Sequence, residues 1–145
     1  MAADPTCPPP GPRPASDDEY FEELTRSVFQ GGLSWQVVDA KWPGFRRAFS
    51  NFSIRDVADY LPEDVDRLMS DPEIVRNLRK IEATIENAAE MLLIQIEHGS
   101  FEQYRASFGS EEELAGDVSR RFRQMGPSSA AAFVHRVSGP TATAA

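Results

Sequence analysis

The segment richest in chemistry is Gln30-Gly31-Gly32-Leu33-Ser34-Trp35. Two glycines let a backbone approach a ligand closely, and an apolar residue and an indole follow at a helix start signalled by Ser34. A nucleobase suits such a place. Enzymes that work on a base draw it out of the stack, which calls for a side chain to fill the gap and an aromatic wall for the extruded ring. Leu33 fits the first role and Trp35 the second, with Gly32 admitting the backbone and Gln30 able to hydrogen-bond a base edge. The alternative is that Leu33 and Trp35 are core residues beyond a helix break, the commoner fate of such side chains, and that Gln30 merely satisfies the backbone there.

A second constellation is Phe122-Arg123-Gln124-Met125-Gly126-Pro127-Ser128-Ser129-Ala130. Gly126 permits a tight turn, Pro127 presets the next helix, and Ala130, Ala131 and Ala132 allow close packing. This is a helix-hairpin-helix pattern, in which free N–H groups around Gly126, Ser128 and Ser129 point at a DNA phosphate without reading sequence, while Arg123 adds charge. An ordinary αα-hairpin with a Gly-Pro connector has the same signature. Arg76 and Lys80, with Asn77 and Arg79, gather at a helix junction, where they can neutralise a phosphate or equally hold neighbouring loops beside Asp71 and Glu82. No His/Asp pattern accompanies Ser128 or Ser129, so neither reads as a nucleophile.

These segments must be held by helices. Ser16-Asp17-Asp18-Glu19 fits a capping box that opens a first helix running to about Gln30, with Phe21, Leu24 and Val28 at helical spacing. Gly31-Gly32 ends it. Short helices follow: one carrying Trp35 and Val38, one opened by Pro43 with Phe45 and Phe49 inward, one capped by Ser53, one begun at Pro62, and another cap-then-proline signal at Asp71-Pro72. The longest helix is expected at 78–97, buried along Ile81, Ile85, Ala88 or Ala89, Leu92 and Ile96, and stopped by Gly99. Phe101, Tyr104 and Phe108 mark another, and 111–122 with 127–137 form the hairpin pair. The expected fold class is all-α, a compact helical domain at 17–137. A disordered Pro-rich tail at 1–16, with six of the eleven prolines, precedes it, and a flexible tail at 138–145 follows.

Composition narrows the function classes. The 145 residues make one domain, and the net charge of -8 argues against binding nucleic acid by charge alone. Residues 118–145 contain Arg120, Arg121, Arg123 and Arg136 and no acidic residue, so a local basic patch belongs there, unless those arginines form a solvated face beside Glu111–Glu113. One cysteine, Cys7, and two histidines, His98 and His135, leave no disulfide and no zinc site. Neither a membrane span nor a secretory signal is readable, so a soluble, cytoplasmic monomer is expected.

The string Gln30–Trp35, together with Phe21-Glu22, the Asp71–Asn77 segment, Lys80-Ile81 and the Gly126-Pro127 hairpin, resembles the DNA-3-methyladenine glycosylase I family in collinear order. Its most specific part is close to that family's Q-A-G-L-S-W. The resemblance implies a base excision repair enzyme that binds damaged double-stranded DNA and hydrolyses the N-glycosidic bond of a flipped 3-methyladenine, without a cofactor. Trp35 then matches the base-stacking tryptophan, and Gly32-Leu33 the segment that occupies the vacated space. The lesion is cationic and already a good leaving group, so an indole face and a nearby carboxylate can select it. Ser27 aligns with the family's base-recognising glutamate and brings no charge. Glu23, one turn earlier on the same face, can supply the missing carboxylate or be a solvated residue of the first helix. The zinc-binding ends of typical members are missing, so no metal is expected. A non-catalytic DNA-binding module of the same fold, or a glycosylase for a different lesion, are the alternatives.

Overall fold

In the computed structural model, which describes residues 12–139, every regular element is helical. The order is α1 (Asp17–Gln30), α2 (Trp35–Ala40), α3 (Trp42–Ala48), a 3-10 turn (Ser50–Phe52), α4 (Ile54–Ala58), α5 (Pro62–Met69), α6 (Leu78–His98), α7 (Phe101–Ala106), α8 (Glu111–Arg121) and α9 (Pro127–Val137). The all-α class expected from the sequence is the one observed. Residues 1–11, which include Cys7, and residues 140–145 lie outside the described part of the chain.

Local chemistry explains most boundaries. Ser16 Oγ accepts from the N–H of Glu19, and Glu19 reaches back to Ala15 rather than to the capping residue itself, so α1 starts where the box requires. Ser34, Ser53, Ser100 and Ser110 each cap the following helix through a backbone N–H. Asp71 behaves differently from its sequence signal. Its carboxylate takes the N–H of Glu73 and shapes a turn, and the next helix waits until Asn77 caps α6. The chain is prevented from coiling there by the packing of this segment on α3: a Cβ built on Gly44 would lie 2.5 Å from the carbonyl oxygen of Glu73.

The core gathers around α1 and α6. Helix α6 packs on α1, α4, α5 and α7, and α1 packs on α9, while α8 pairs with α9. Contact on several sides widens the buried face of α6. Its interior residues are Ile81, Ala83, Thr84, Asn87, Ala88, Met91 and Ile94, whereas Ile96 is 80% exposed and Leu92 and Ile85 are half-buried. The stripe read from the sequence is therefore rotated, because two polar residues, Thr84 and Asn87, hold inward positions that an apolar pattern passes over. Beside α1, the rings of Trp42 and Phe52 stack at 5.2 Å, Glu22 accepts from Trp42 Nε1 at 2.7 Å, and the Arg26 guanidinium lies 4.3 Å from the Trp42 ring centre. The two ends of the described chain also meet. Arg13 Nε donates to the carbonyl of Gly139 at 3.1 Å, and its Nη1 to Glu102 at 3.2 Å.

Candidate active site

Helix α1 stops because the chain turns at Gly31-Gly32. Gly31 (φ −59°, ψ 116°) and Gly32 (φ +80°) form a type II turn closed by the Leu33 N–H on the Gln30 carbonyl at 3.0 Å. Gly32 is the position that needs glycine, since a side chain there would be held in the left-handed region. Leu33 at the tip is 43% exposed, so it is not a core residue, and Trp35 on the first turn of α2 is half-buried. Lys80 sits beneath the turn. Its Nζ donates to the carbonyls of Gly31 (2.5 Å) and Phe29 (3.4 Å), and burial pushes its pKa down. A Cβ built on Gly31 would lie 3.5 Å from Ser129 Oγ and 4.0 Å from Lys80 Nζ. The glycine turn, Lys80 and the beginning of α9 thus converge. Arg76 lies exposed just before α6, and its side chain, like that of Arg79, makes no hydrogen bond or ion pair among the described residues.

The α8–α9 hairpin presents its second helix N-terminus without a side-chain cap. The first backbone bond runs from Ala130 N–H to the Gly126 carbonyl at 2.9 Å, so the N–H groups of Ser128 and Ser129 have no acceptor within the helix. Gly126 has an ordinary φ of −69°, and the left-handed residue of the turn is Gln124, at +56°. Nothing lies within 4 Å of a Cβ built on Gly126. Its smallness is therefore not demanded by the turn, as the sequence suggested, and leaves room for a group approaching from outside. What fixes the turn is Asn87 on α6, a buried residue with no sequence motif around it. It accepts from the Arg123 N–H at 2.7 Å and donates to the Arg123 carbonyl at 3.2 Å.

The basic patch expected at 118–145 is largely neutralised. Arg121 pairs with Glu90 and Glu97, Arg120 with Asp117, and Arg123 Nε with Glu86 at 3.1 Å, although the Arg123 side chain stays 68% exposed. Arg136 leaves the surface altogether. It is 9% exposed and crosses from the last turn of α9 to α1, where it donates to Ser27 Oγ, to Gln30 Oε1 (3.1 Å) and to the Glu23 carbonyl (3.3 Å), and pairs through Nε with the Glu23 carboxylate at 3.2 Å. Glu23 also lies 3.4 Å from Arg26, which binds Asp39 at 2.6 Å. Glu23, Ser27 and Gln30 thus share one buried seam, with a guanidinium at its centre. Sequence reasoning placed Arg136 in the basic patch and missed this buried role, yet a signal existed: it follows Phe133 by three residues, on the face that buries Ala130, Phe133 and Val137.

Among the described residues no group of three or more His, Cys, Asp or Glu side chains is placed to hold a metal ion, and no helix is long and apolar enough to cross a membrane. A cavity of about 530 Å³ opens between α8 and α9, lined by Glu111, Ala115, Arg120, Pro127 and Val134 among others. None of the candidate base- or DNA-contacting residues lines it.

With this geometry established, comparison with known proteins gives a consistent answer. The sequence profile of the methyladenine glycosylase family matches residues 11–133. The chain belongs to the methyladenine glycosylase family. It is 29% identical over 107 residues to the DNA-3-methyladenine glycosylase of Haemophilus influenzae, a match covering 73% of this chain and 58% of that protein. It is 35% identical over 96 residues to DNA-3-methyladenine glycosylase 1 of Escherichia coli, covering 66% and 51%. The chain therefore spans little more than half the length of these curated relatives. The fold superposes with a TM-score of 0.79 and 25% identity on 3-methyladenine DNA glycosylase I of Staphylococcus aureus, covering 88% of this chain and 79% of that one. The helical architecture is the family's, carried here by a chain whose seam between α1 and α9 holds Ser27 against Arg136.

Proposed function

We propose that this chain is a DNA N-glycosylase. It docks double-stranded DNA through the α8–α9 hairpin, fills the vacated space with Leu33, and holds the flipped, damaged base against Trp35 while water cleaves the N-glycosidic bond. The observation that carries this reading is the convergence at Gly31: an exposed apolar finger on a glycine turn lies beside the uncapped start of α9, the element suited to a phosphate. Membership of the family supports the same reaction class. In the step itself the water oxygen bonds to the sugar C1′, the C1′–N electron pair leaves with the base, and the proton of water ends on the base or in solvent.

Within this reading 3-methyladenine is the family's lesion, and its cation calls for a carboxylate. Glu23 is the carboxylate nearest in sequence to Ser27, and it is engaged by Arg136 and Arg26. That engagement favours a second reading, a DNA-binding module without chemistry. Trp35→Ala separates the two. For an enzyme it abolishes base release while duplex affinity, set by the hairpin, falls less than about threefold. Release unaffected by the substitution would remove Trp35 from the site, and absence of release from the folded native chain would select the second reading. Arg123→Ala should weaken duplex binding in a salt-dependent manner under either.

A further inference from the structure

The seam between α1 and α9 has an unusual polarity. A guanidinium is always charged and only donates hydrogen bonds, so Arg136 obliges the Gln30 amide to turn its oxygen toward it. The Gln30 Nε2 group then faces the other way, and it is buried without a hydrogen-bond partner among the described residues. Ser27 Oγ likewise accepts from Arg136, which leaves its own proton to donate. Gln30 is the residue that opens the Gly31-Gly32 turn leading to Leu33 and Trp35, and Arg136 links it to Ser27. The carboxylate on this face, Glu23, is held between two arginines. Arg26 is paired in turn with Asp39, so the charges of the cluster balance; what the seam offers to anything that enters beside it is hydrogen-bond donors, with no free carboxylate.

We propose that Arg136 sets the base preference of this site, favouring a neutral base that presents a carbonyl or ring-nitrogen acceptor over a cationic, N-alkylated one. The inference rests on the flipped-base reading given above and narrows its substrate class. A cationic base would find the carboxylate of this face already engaged by two guanidinia, whereas an acceptor would satisfy the orphaned Gln30 amide. The same donors serve departure. A neutral base leaves with the bonding pair, and hydrogen bonds to its acceptor atoms stabilise that charge until a proton from water replaces the sugar.

The test uses the full chain and two base mimics that need no chemistry to report. 9-Methylhypoxanthine is neutral and carries a carbonyl; 3,9-dimethyladenine carries the positive charge of an N3-alkylated nucleoside. Titration followed by NMR at the Gln30 side-chain amide and the Trp35 indole N–H should show 9-methylhypoxanthine bound at least about tenfold more tightly than the cation. Arg136→Met, which keeps the packing volume and loses the charge, should bring the two within about threefold, and Ser27→Glu with Arg136→Ala should invert their order. Should either arginine variant fail to fold, the native chain still decides: equal or tighter binding of the cation, or no shift at Gln30 with either probe, overturns the proposal. Incubation with duplex containing deoxyinosine separates this from the parent reading. Binding of the neutral mimic with no base released from that duplex or from alkylated duplex would sink the glycosylase reading and leave the preference standing. Base release with no preference between the mimics would do the reverse.

Discussion

Replacing Asn87 by alanine should do more damage than its place in the middle of α6 suggests. The side chain is 1% exposed and makes two hydrogen bonds to one residue of the hairpin turn, accepting from the Arg123 N–H at 2.7 Å and donating to its carbonyl at 3.2 Å. Each such bond contributes about 0.5–1.5 kcal/mol, and an unsatisfied buried partner costs about 1–3 kcal/mol. Arg123 is exposed, so water recovers part of that cost. The expected loss is about 2–3 kcal/mol of unfolding free energy, or a drop in Tm of roughly 6–10 °C for a chain of this size. Urea unfolding measures the first, and hydrogen exchange at the Arg123 amide should become faster than in the native chain. Duplex affinity should fall as well, because the turn that presents Ser128 and Ser129 is no longer tied to α6. A variant within about 0.5 kcal/mol of the native chain, with unchanged exchange at Arg123, would refute the argument that α6 positions the hairpin.

Three further perturbations test the same structure. Gly44→Ala places a methyl 2.5 Å from the Glu73 carbonyl oxygen and 2.8 Å from its Cβ, and should cost about 1–2 kcal/mol even after the gain in helix propensity. Gly116→Ala in α8 meets only the end of the Arg120 side chain, at 3.5 Å, and should be neutral or stabilising, so urea midpoints moving together for the two would contradict the packing of α3 on the 71–77 segment. Tyr20 and Tyr104 are buried and donate to Glu102 and Asp117, and burial followed by those hydrogen bonds raises both phenols far above their ordinary value. In the unfolded chain they ionise near about pH 10. Their contribution is therefore whole below that pH and is lost as pH rises toward the folded values, so stability should fall steadily above about pH 10. Tyrosinate absorbance recorded through alkaline unfolding should show these two rings ionising only as the fold is lost; ionisation in the native state would count against their burial.

Much of the scaffold was legible because its signals are local. Ser16 and Glu19, Ser34, Ser53 and Pro62 each specify a helix start by chemistry within three or four residues, and Gly99, with φ of +92°, ends α6 where the sequence reading put its terminator. The hairpin pair and the glycine turn were readable for the same reason. Where a boundary depended on a distant partner the sequence misled: Asp71-Pro72 has the grammar of a helix start, and the contact of Glu73 with Gly44, almost thirty residues earlier, decides otherwise. Inward polar residues were the other blind spot. Asn87 and Arg136 interrupt apolar stripes, and only the three-dimensional arrangement reveals that each links two elements across a long stretch of chain.

The family relationship and the altered seam pull on different parts of the account. In the proposed function, the hairpin, the glycine turn with Leu33, and Trp35 dock DNA and receive a base. In the proposal made above, Ser27 and Arg136 set which base that is. Arg13, joining Glu102 and Gly139, ties together the two ends of the described chain by hydrogen bonds and an ion pair.

The central claim is that this chain removes a base from DNA, and the most direct measurement is release of free base from damaged duplex by the purified protein at low salt, with the product identified by chromatography. Alkylated duplex and duplex containing deoxyinosine should be offered together. The account predicts a free base that requires Trp35 and is taken preferentially from the neutral lesion. Folded protein that binds duplex and releases nothing from either substrate would contradict it.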